Sequence, residues 1–285
     1  MITKKLCIVG LGLMGGSLAL ALREHVDTIV GVERHAATRQ LALQNGVVDE
    51  VTADFGEGVS EADAVILATP VKSILQLLAE LPKFRPEGCL VLDIGSTKAA
   101  IHHAMDNLPP QFQAVGGHPM CGKEVAGLAA ADGRLFAGQT FVLCRNGRTQ
   151  EEAAAFALAV VQAIGANSLW LEPERHDLLV AAVSHLPYSV SAVLMRHVAA
   201  IPDEFVFPVS ASGFRDVSRL AGSDPQMMLD ILLTNKTAVL QQMAQYRQQL
   251  TAFMTLLENE DETGLRRWLA DAQRLHTQYR REKWG

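Results

Sequence analysis

Three glycines near the N-terminus, Gly10, Gly12 and Gly15, constrain this chain more than any other feature. They lie in KLCIVGLGLMGGSLALAL, directly after an apolar run that reads as a strand and directly before one that reads as a helix. A second apolar run, TIVGVE, ends on Glu33, at roughly the twenty-residue offset of a dinucleotide-binding βαβ unit. Each glycine has a physical task. The first permits a tight turn, the second lets the backbone approach a pyrophosphate, and the third lets helix and strand pack closely. The helix opening at Leu13 and Met14 then offers free N–H groups and a partial positive charge to the phosphates. Glu33 suits the two ribose hydroxyls of NAD. Arg34 and His35 follow at once and suit the 2′-phosphate of NADP, so both cofactors stay open, with NAD favoured. A glycine-rich turn without a ligand would not account for the acid that ends the second strand.

The remaining strand patterns extend the unit. Short β-rich runs recur at DAVILAT, CLVLDIG, QAVGGHP, TFVLC and SLWL, with helical patterns between them, for example over 13–24, 70–81 and 149–164. This alternation predicts a Rossmann-type α/β domain over residues 1–172, a doubly wound parallel sheet with helices on both faces. After Glu172-Pro173 the pattern becomes helical throughout, predicting an all-α domain over 173–285 with helices over 173–198, 214–221, 224–257 and 262–282. Gly222 can end one helix, and Ser223-Asp224-Pro225 can cap and open the next. The long helices carry more apolar residues than so small a domain can bury alone. The sequence therefore predicts a homodimer formed through the helical domain.

Composition sets outer limits. The chain has 285 residues, a net charge of −6 and 49% apolar residues. An acidic balance argues against nucleic acid as a partner. Cys7, Cys89, Cys121 and Cys144 are scattered without metal-type spacing, which reads as a reduced, cytoplasmic protein with no metal site. No uninterrupted apolar run reaches the length of a membrane span, and no signal peptide is apparent.

In doubly wound sheets ligands bind beyond the carboxyl ends of the strands. That rule marks Thr69-Pro70 on the cofactor side, and Ser96 and His118 further along the sheet. Ser96 reads equally well as an N-cap for a helix starting at Thr97. His118 is expected just after its strand, with Gly116 and Gly117 letting the backbone approach a ligand; a neutral imidazole there can take a proton from a carbinol as hydride leaves. In the helical part, His185 precedes Pro187 in SHLPYS, where a bend exposes polar groups or simply packs a core histidine. Arg215 and Arg219 are four apart on one helix face, either solvated or able to grip a carboxylate.

Taken together, GLGLMGGSLA, AVILATP, LDIGSTK, GGHPMCGKE, VSHLPYSV and GFRDVSRLAGSDP resemble the prephenate and arogenate dehydrogenases of tyrosine biosynthesis, in order and over essentially the whole chain. The resemblance implies oxidative decarboxylation of prephenate, or of arogenate, with NAD or NADP. It implies that His118 is the catalytic histidine at the ring hydroxyl and that Ser96 contacts both. His185 and Arg219 would line the substrate pocket, Arg219 on a carboxylate. Glu124 would lie near the entrance, and Asp216 would reach the neighbouring subunit's site. Two positions depart from the family pattern: Lys123, where threonine is common, places a cation beside Glu124, and Met228 stands where tryptophan is common. Neither departure separates a keto from an amino side chain on the substrate, and tyrosine feedback is equally unreadable.

Two other readings keep part of this. A Rossmann protein with a helical C-terminal part can oxidise hydroxy acids or reduce imines, with Lys236 as the only lysine of the long helix; carbon dioxide release per nicotinamide reduced discriminates. A non-enzymatic nucleotide sensor would need Glu33 and the glycines but not His118, Ser96 and Arg219 together.

Overall fold

The computed structural model describes all residues except Glu124, Asn146, Arg148 and Gly285, with the side chain of Trp284 also left aside. It divides into two compact units, Met1–Lys236 and Thr237–Gly285.

The first unit is built on an eight-stranded sheet: β1 (Thr3–Val9), β2 (Val26–Val32), β3 (Glu50–Thr52), β4 (Ala64–Leu67), β5 (Leu90–Asp93), β6 (Gln113–Pro119), β7 (Thr140–Cys144) and β8 (Asn167–Trp170). Their spatial order is β3-β2-β1-β4-β5-β6-β7-β8. The order reverses between β1 and β4, which is where a crevice opens at the strand ends of such a sheet. Burial on both faces explains the nearly continuous apolar strands. On β1, Leu6 and Ile8 face one core, shared with Leu18, Leu22 and Phe156; Cys7 and Val9 face the other, shared with Ile74, Leu78 and Ile101. The first core is covered by α1 (Leu13–Leu22), α2 (Ala36–Gln44) and α6 (Glu151–Ala163), the second by α3 (Phe55–Val59), α4 (Val71–Phe84) and α5 (Ala99–Asp106).

The parallel expectation fails at one pair. β6 and β7 run antiparallel, with His118 opposite Val142. A parallel return needs a crossover, usually a helix; between β6 and β7 the described residues form only a short 3₁₀ turn at Leu128–Ala130. This pairing also corrects the position of His118. β5 releases β6 at Gly116, but β7 holds it as far as Pro119, so His118 lies inside the strand. The two glycines before it have a packing cause rather than a ligand-approach one. A Cβ on Gly116 would sit 2.1 Å from His102 Nε2, and one on Gly117 would sit 2.7 Å from the Asp93 carbonyl oxygen.

The same unit continues with α7 (Pro173–Val180), a π-helical turn (Ala181–His185) and α8 (Leu186–Ala199) as one helical stretch. The π turn absorbs Pro187, which lacks the N–H for an uninterrupted ladder. Contrary to the sequence reading, this stretch is long and apolar enough to cross a membrane by length and composition alone. One side of it carries the buried polar residues His176, Asp177, His185, Ser189 and Ser191, while Leu178, Leu179, Val183 and Val193 are exposed. α9 (Ser212–Ser218), a 3₁₀ turn at Arg219–Gly222 and α10 (Pro225–Thr234) follow. Asp224 caps α10 by accepting from Met227 N at 2.7 Å. The single helix expected over 224–257 breaks at Asn235, whose side chain bonds to Asp177 and His185; α11 (Lys236–Glu258) starts afresh.

The second unit holds the rest of α11 and α12 (Glu262–Trp284). The two helices meet through a turn closed by Gly264 N donating to Asp261 Oδ1, and Phe253 lies against Trp268.

Candidate active site

The glycine loop forms a cradle. Gly10 has φ +94° and donates its N–H to the Val32 carbonyl at 2.8 Å, which fixes the turn between β1 and α1 against the end of β2. A Cβ on Gly15 would stand 1.9 Å from the Gly10 carbonyl oxygen. Only glycine therefore lets α1 approach this closely. Gly12 is the N-cap of α1, makes no side-chain cap, and a Cβ there would meet nothing within 4 Å. The first-turn N–H groups of α1, with Leu13 and Met14 half-buried beside them, thus open onto free space. Glu33 Oε2 accepts from Leu11 N at 3.2 Å and Oε1 from His35 N at 2.9 Å, so the carboxylate is held against the loop. Arg34 is exposed and donates from Nε to His35 Nε2 at 3.0 Å. Thr69, beside Gly10, keeps a buried hydroxyl with no partner among the described residues, and Pro70 opens α4. A shaped backbone cradle, an orphaned hydroxyl and a fixed carboxylate fit a dinucleotide.

Further along the sheet edge, His118 begins a chain of hydrogen bonds. Its Nδ1 lies 2.8 Å from His176 Nε2, and His176 Nδ1 lies 2.8 Å from Asp177 Oδ1. The two imidazole rings meet edge to face. Asp177 also accepts from Lys98 N at 2.7 Å and Ala99 N at 3.0 Å, the free amides that open α5. That settles the capping question: α5 begins at Ala99, and Asp177, not Ser96, caps it. Ser96 lies half-buried in the β5–α5 turn. Next to it, Thr97 Oγ1 is 2.9 Å from Thr234 Oγ1. Beneath His118, the fully buried Lys98 ammonium donates to the Gly117 carbonyl at 2.6 Å and pairs with the fully buried Asp93. Burial pushes the Asp93 carboxyl up against the pull of Lys98.

Burial also sets the histidines. It drives His118, half-buried at the surface of this cluster, well below the usual histidine range, helped by the nearby His176, Lys98 and His185. It pushes His102, whose ring packs over Gly116, down to about 3. His185 is held at about 4, with Asp177 pulling the other way. His185 is joined to the chain through Asn235 Nδ2, 3.2 Å from His185 Nδ1 and 2.7 Å from the Asp177 carbonyl oxygen.

The structure thus brings together His118, Lys98, His176, Asp177, His185 and Asn235. Other expected residues lie outside this bonded cluster. Arg219 is exposed in the 3₁₀ turn after α9, a turn anchored to α8 by Ala221 N donating to Ser191 Oγ. Asp216 is exposed and paired with Arg215 at 3.1 Å. Lys123 is also exposed; it donates to the Ala130 carbonyl at 3.2 Å and lies 3.5 Å from Asp132, so its cation is matched within its own loop. Glu124 lies outside the described residues. Met228 is buried in α10. Sequence reasoning missed His176 and Asp177. The available signal was an adjacent His-Asp pair one turn after Pro173, at the start of a helix otherwise rich in leucine and valine.

Residues 18–170 match the family model described as prephenate dehydrogenase, nucleotide-binding domain, and residues 172–271 match prephenate dehydrogenase, dimerization domain. The chain belongs to the prephenate dehydrogenase family. Within that family it is 35% identical to the prephenate dehydrogenase of Bacillus subtilis (strain 168), over 93% of this chain and 73% of that one. Its fold superposes with a TM-score of 0.90 on prephenate dehydrogenase from A. aeolicus in complex with hydroxyphenyl propionate and NAD+, at 28% identity, covering 97% of this chain and 98% of that one. The TM-score is 0.82 against Synechocystis arogenate dehydrogenase, at 32% identity, covering 96% and 99%. Members of the prephenate dehydrogenase family are oxidoreductases, and this chain is one.

Proposed function

We propose that this chain oxidises and decarboxylates prephenate to 4-hydroxyphenylpyruvate with NAD, in the cytoplasm, as a step of tyrosine biosynthesis. The observation that carries the reading is a half-buried imidazole, neutral at physiological pH, at the ligand edge of a dinucleotide-binding sheet. A base in that state can take the proton of a ring hydroxyl. NAD, when bound, supplies the hydride acceptor. Gly10, Gly12 and Gly15 and the N-terminus of α1, with Leu13 and Met14, would hold its phosphates, Glu33 its ribose hydroxyls, and Thr69 and Pro70 would flank it. His118 receives the hydroxyl proton as hydride leaves the carbinol carbon. The ring carboxylate is then lost as CO2, its bonding electrons completing the aromatic ring. Ser96 would share the hydroxyl, and Arg219 and His185 would hold the side-chain end of the substrate. Lys123 and Glu124 would flank the entrance. The functional division we draw falls between 172 and 173, supported by family matches that meet between 170 and 172.

The dimerization-domain match and the exposed Leu240, Leu250, Met254 and Leu257 of α11 support a homodimer, with Asp216 reaching the partner's site. Sedimentation as a monomer at micromolar concentration would contradict it. The likeness to an arogenate dehydrogenase at 32% identity favours a second reading, in which the amino analogue is the substrate and tyrosine the direct product. Rates on prephenate and arogenate, each with NAD and NADP, decide. We expect prephenate with NAD to give the highest kcat/KM, and a higher value with arogenate or with NADP would replace that part of the reading.

A further inference from the structure

We propose that His176 and Asp177 are positioning residues that hold His118 as its Nδ1-protonated tautomer, leaving the Nε2 lone pair for the substrate's hydroxyl proton. The inference rests on the functional reading above and adds to it a direction for every proton in the chain. Asp177 Oδ1 is an acceptor already used by Lys98 N, so the 2.8 Å contact to His176 makes His176 Nδ1 the donor. A neutral imidazole that donates from one nitrogen accepts at the other. Taken as a neutral imidazole, His176 accepts at Nε2, and the partner 2.8 Å away, His118 Nδ1, carries the hydrogen. His118 Nε2 is then bare. His176 is fully buried with both ring nitrogens engaged, so the order cannot be reversed by water.

The relay is also clamped in space. Asp177 is held by two amides at the start of α5 and, through its carbonyl, by Asn235. Lys98, whose own N–H is one of those donors, holds the peptide just before His118 through the Gly117 carbonyl. When His118 takes a proton it becomes an imidazolium that still donates through Nδ1. His176 and the Asp177 carboxylate then lie next to the new charge. This is the logic by which an orienting pair serves a histidine base.

Ring ¹⁵N NMR of the full-length protein labelled at histidine tests this, with His118 assigned from the spectrum of His118→Asn. In the wild type, Nδ1 of His118 should carry the proton and Nε2 should not. His176→Leu removes the acceptor. The His118 ring should then shift toward the Nε2-protonated tautomer, and kcat should fall roughly 10–100-fold, the usual loss for a partner that orients a functional histidine. KM for prephenate and Kd for NAD should hold steady. His176→Gln restores an acceptor and should recover part of both the tautomer and the rate. An Nε2-protonated His118 in an active wild type, or an unchanged tautomer in folded His176→Leu, overturns the proposal. The wild-type spectrum needs no variant to fold. An Nδ1-protonated His118 in a protein inactive on prephenate and arogenate would instead sink the functional reading and leave the tautomer standing.

Discussion

In the proposed reaction His118 can serve as the base because it is neutral, and it is neutral because its surroundings disfavour the charged form. Burial is the main cause, and His176, Lys98 and His185 add to it. Replacing it with asparagine keeps a polar side chain of smaller size but removes the titratable nitrogen. His118→Asn should lower kcat by roughly 10²–10⁴-fold, the range for a lost acid–base group. NAD binding, followed by fluorescence quenching or calorimetry, should persist, since the glycine cradle is untouched. Turnover near the wild-type rate would remove His118 from its role. Arg219 presents a contrasting residue environment: the residue is exposed, so the sequence argument for a carboxylate grip rests on the family motif rather than on burial.

At the scale of elements, the site is held by one buried ion pair as much as by any hydrogen bond. Lys98, at the start of α5, ties Asp93 at the end of β5 to the peptide before His118 in β6. Removing one partner of such a pair leaves the other charged, buried and unmatched, which typically costs about 3–5 kcal/mol. Lys98→Met should therefore lower Tm markedly in thermal denaturation. Replacing both partners with apolar residues of similar volume should recover much of the loss, because the pair's attraction largely offsets its own desolvation. A Lys98→Met protein as stable as wild type would show that the pair does not brace these three elements. Two elements depart from the sequence patterning, each for its own reason. β7 runs antiparallel to β6, and the described residues between them form no helical crossover. α10 ends at Asn235 because a side chain serves a tertiary contact there instead of continuing the helix.

Across the whole molecule, the buried neutral histidines link stability to pH. His102 and His185 are held at about 3 and about 4 in the fold, against an ordinary value of 6.5. Below about pH 6.5 the unfolded chain takes up protons at these positions while the folded chain does not, so stability falls as pH falls. The loss accumulates from about pH 6.5 down to about 4 for His185 and about 3 for His102. His118, also depressed, adds in the same direction; Asp93, raised by burial, works against it. Three histidines against one carboxyl should give a lower urea midpoint at pH 5 than at pH 7.5. A midpoint that stayed level or rose on acidification would contradict this account.

The amino-acid order alone was enough to specify the nucleotide cradle, the α/β-then-helical plan and the candidate histidine at the sheet edge. Those features depend on local rules: glycine spacing, period-two and helical patterning, and the abrupt change of pattern after Glu172. The Asp177–His176–His118 chain, the Lys98–Asp93 pair and the reversal of β7 were not legible. The Asp177–His176–His118 chain depends on side chains that meet across separations of 58 and 79 residues, between His118 and His176 and between Lys98 and Asp177. The Lys98–Asp93 pair, five residues apart, is set by its full burial, and the β7 reversal by strand pairing. Periodicity carries no record of such meetings. Only the folded chain brings these side chains close enough for burial and hydrogen bonding to assign each proton a place.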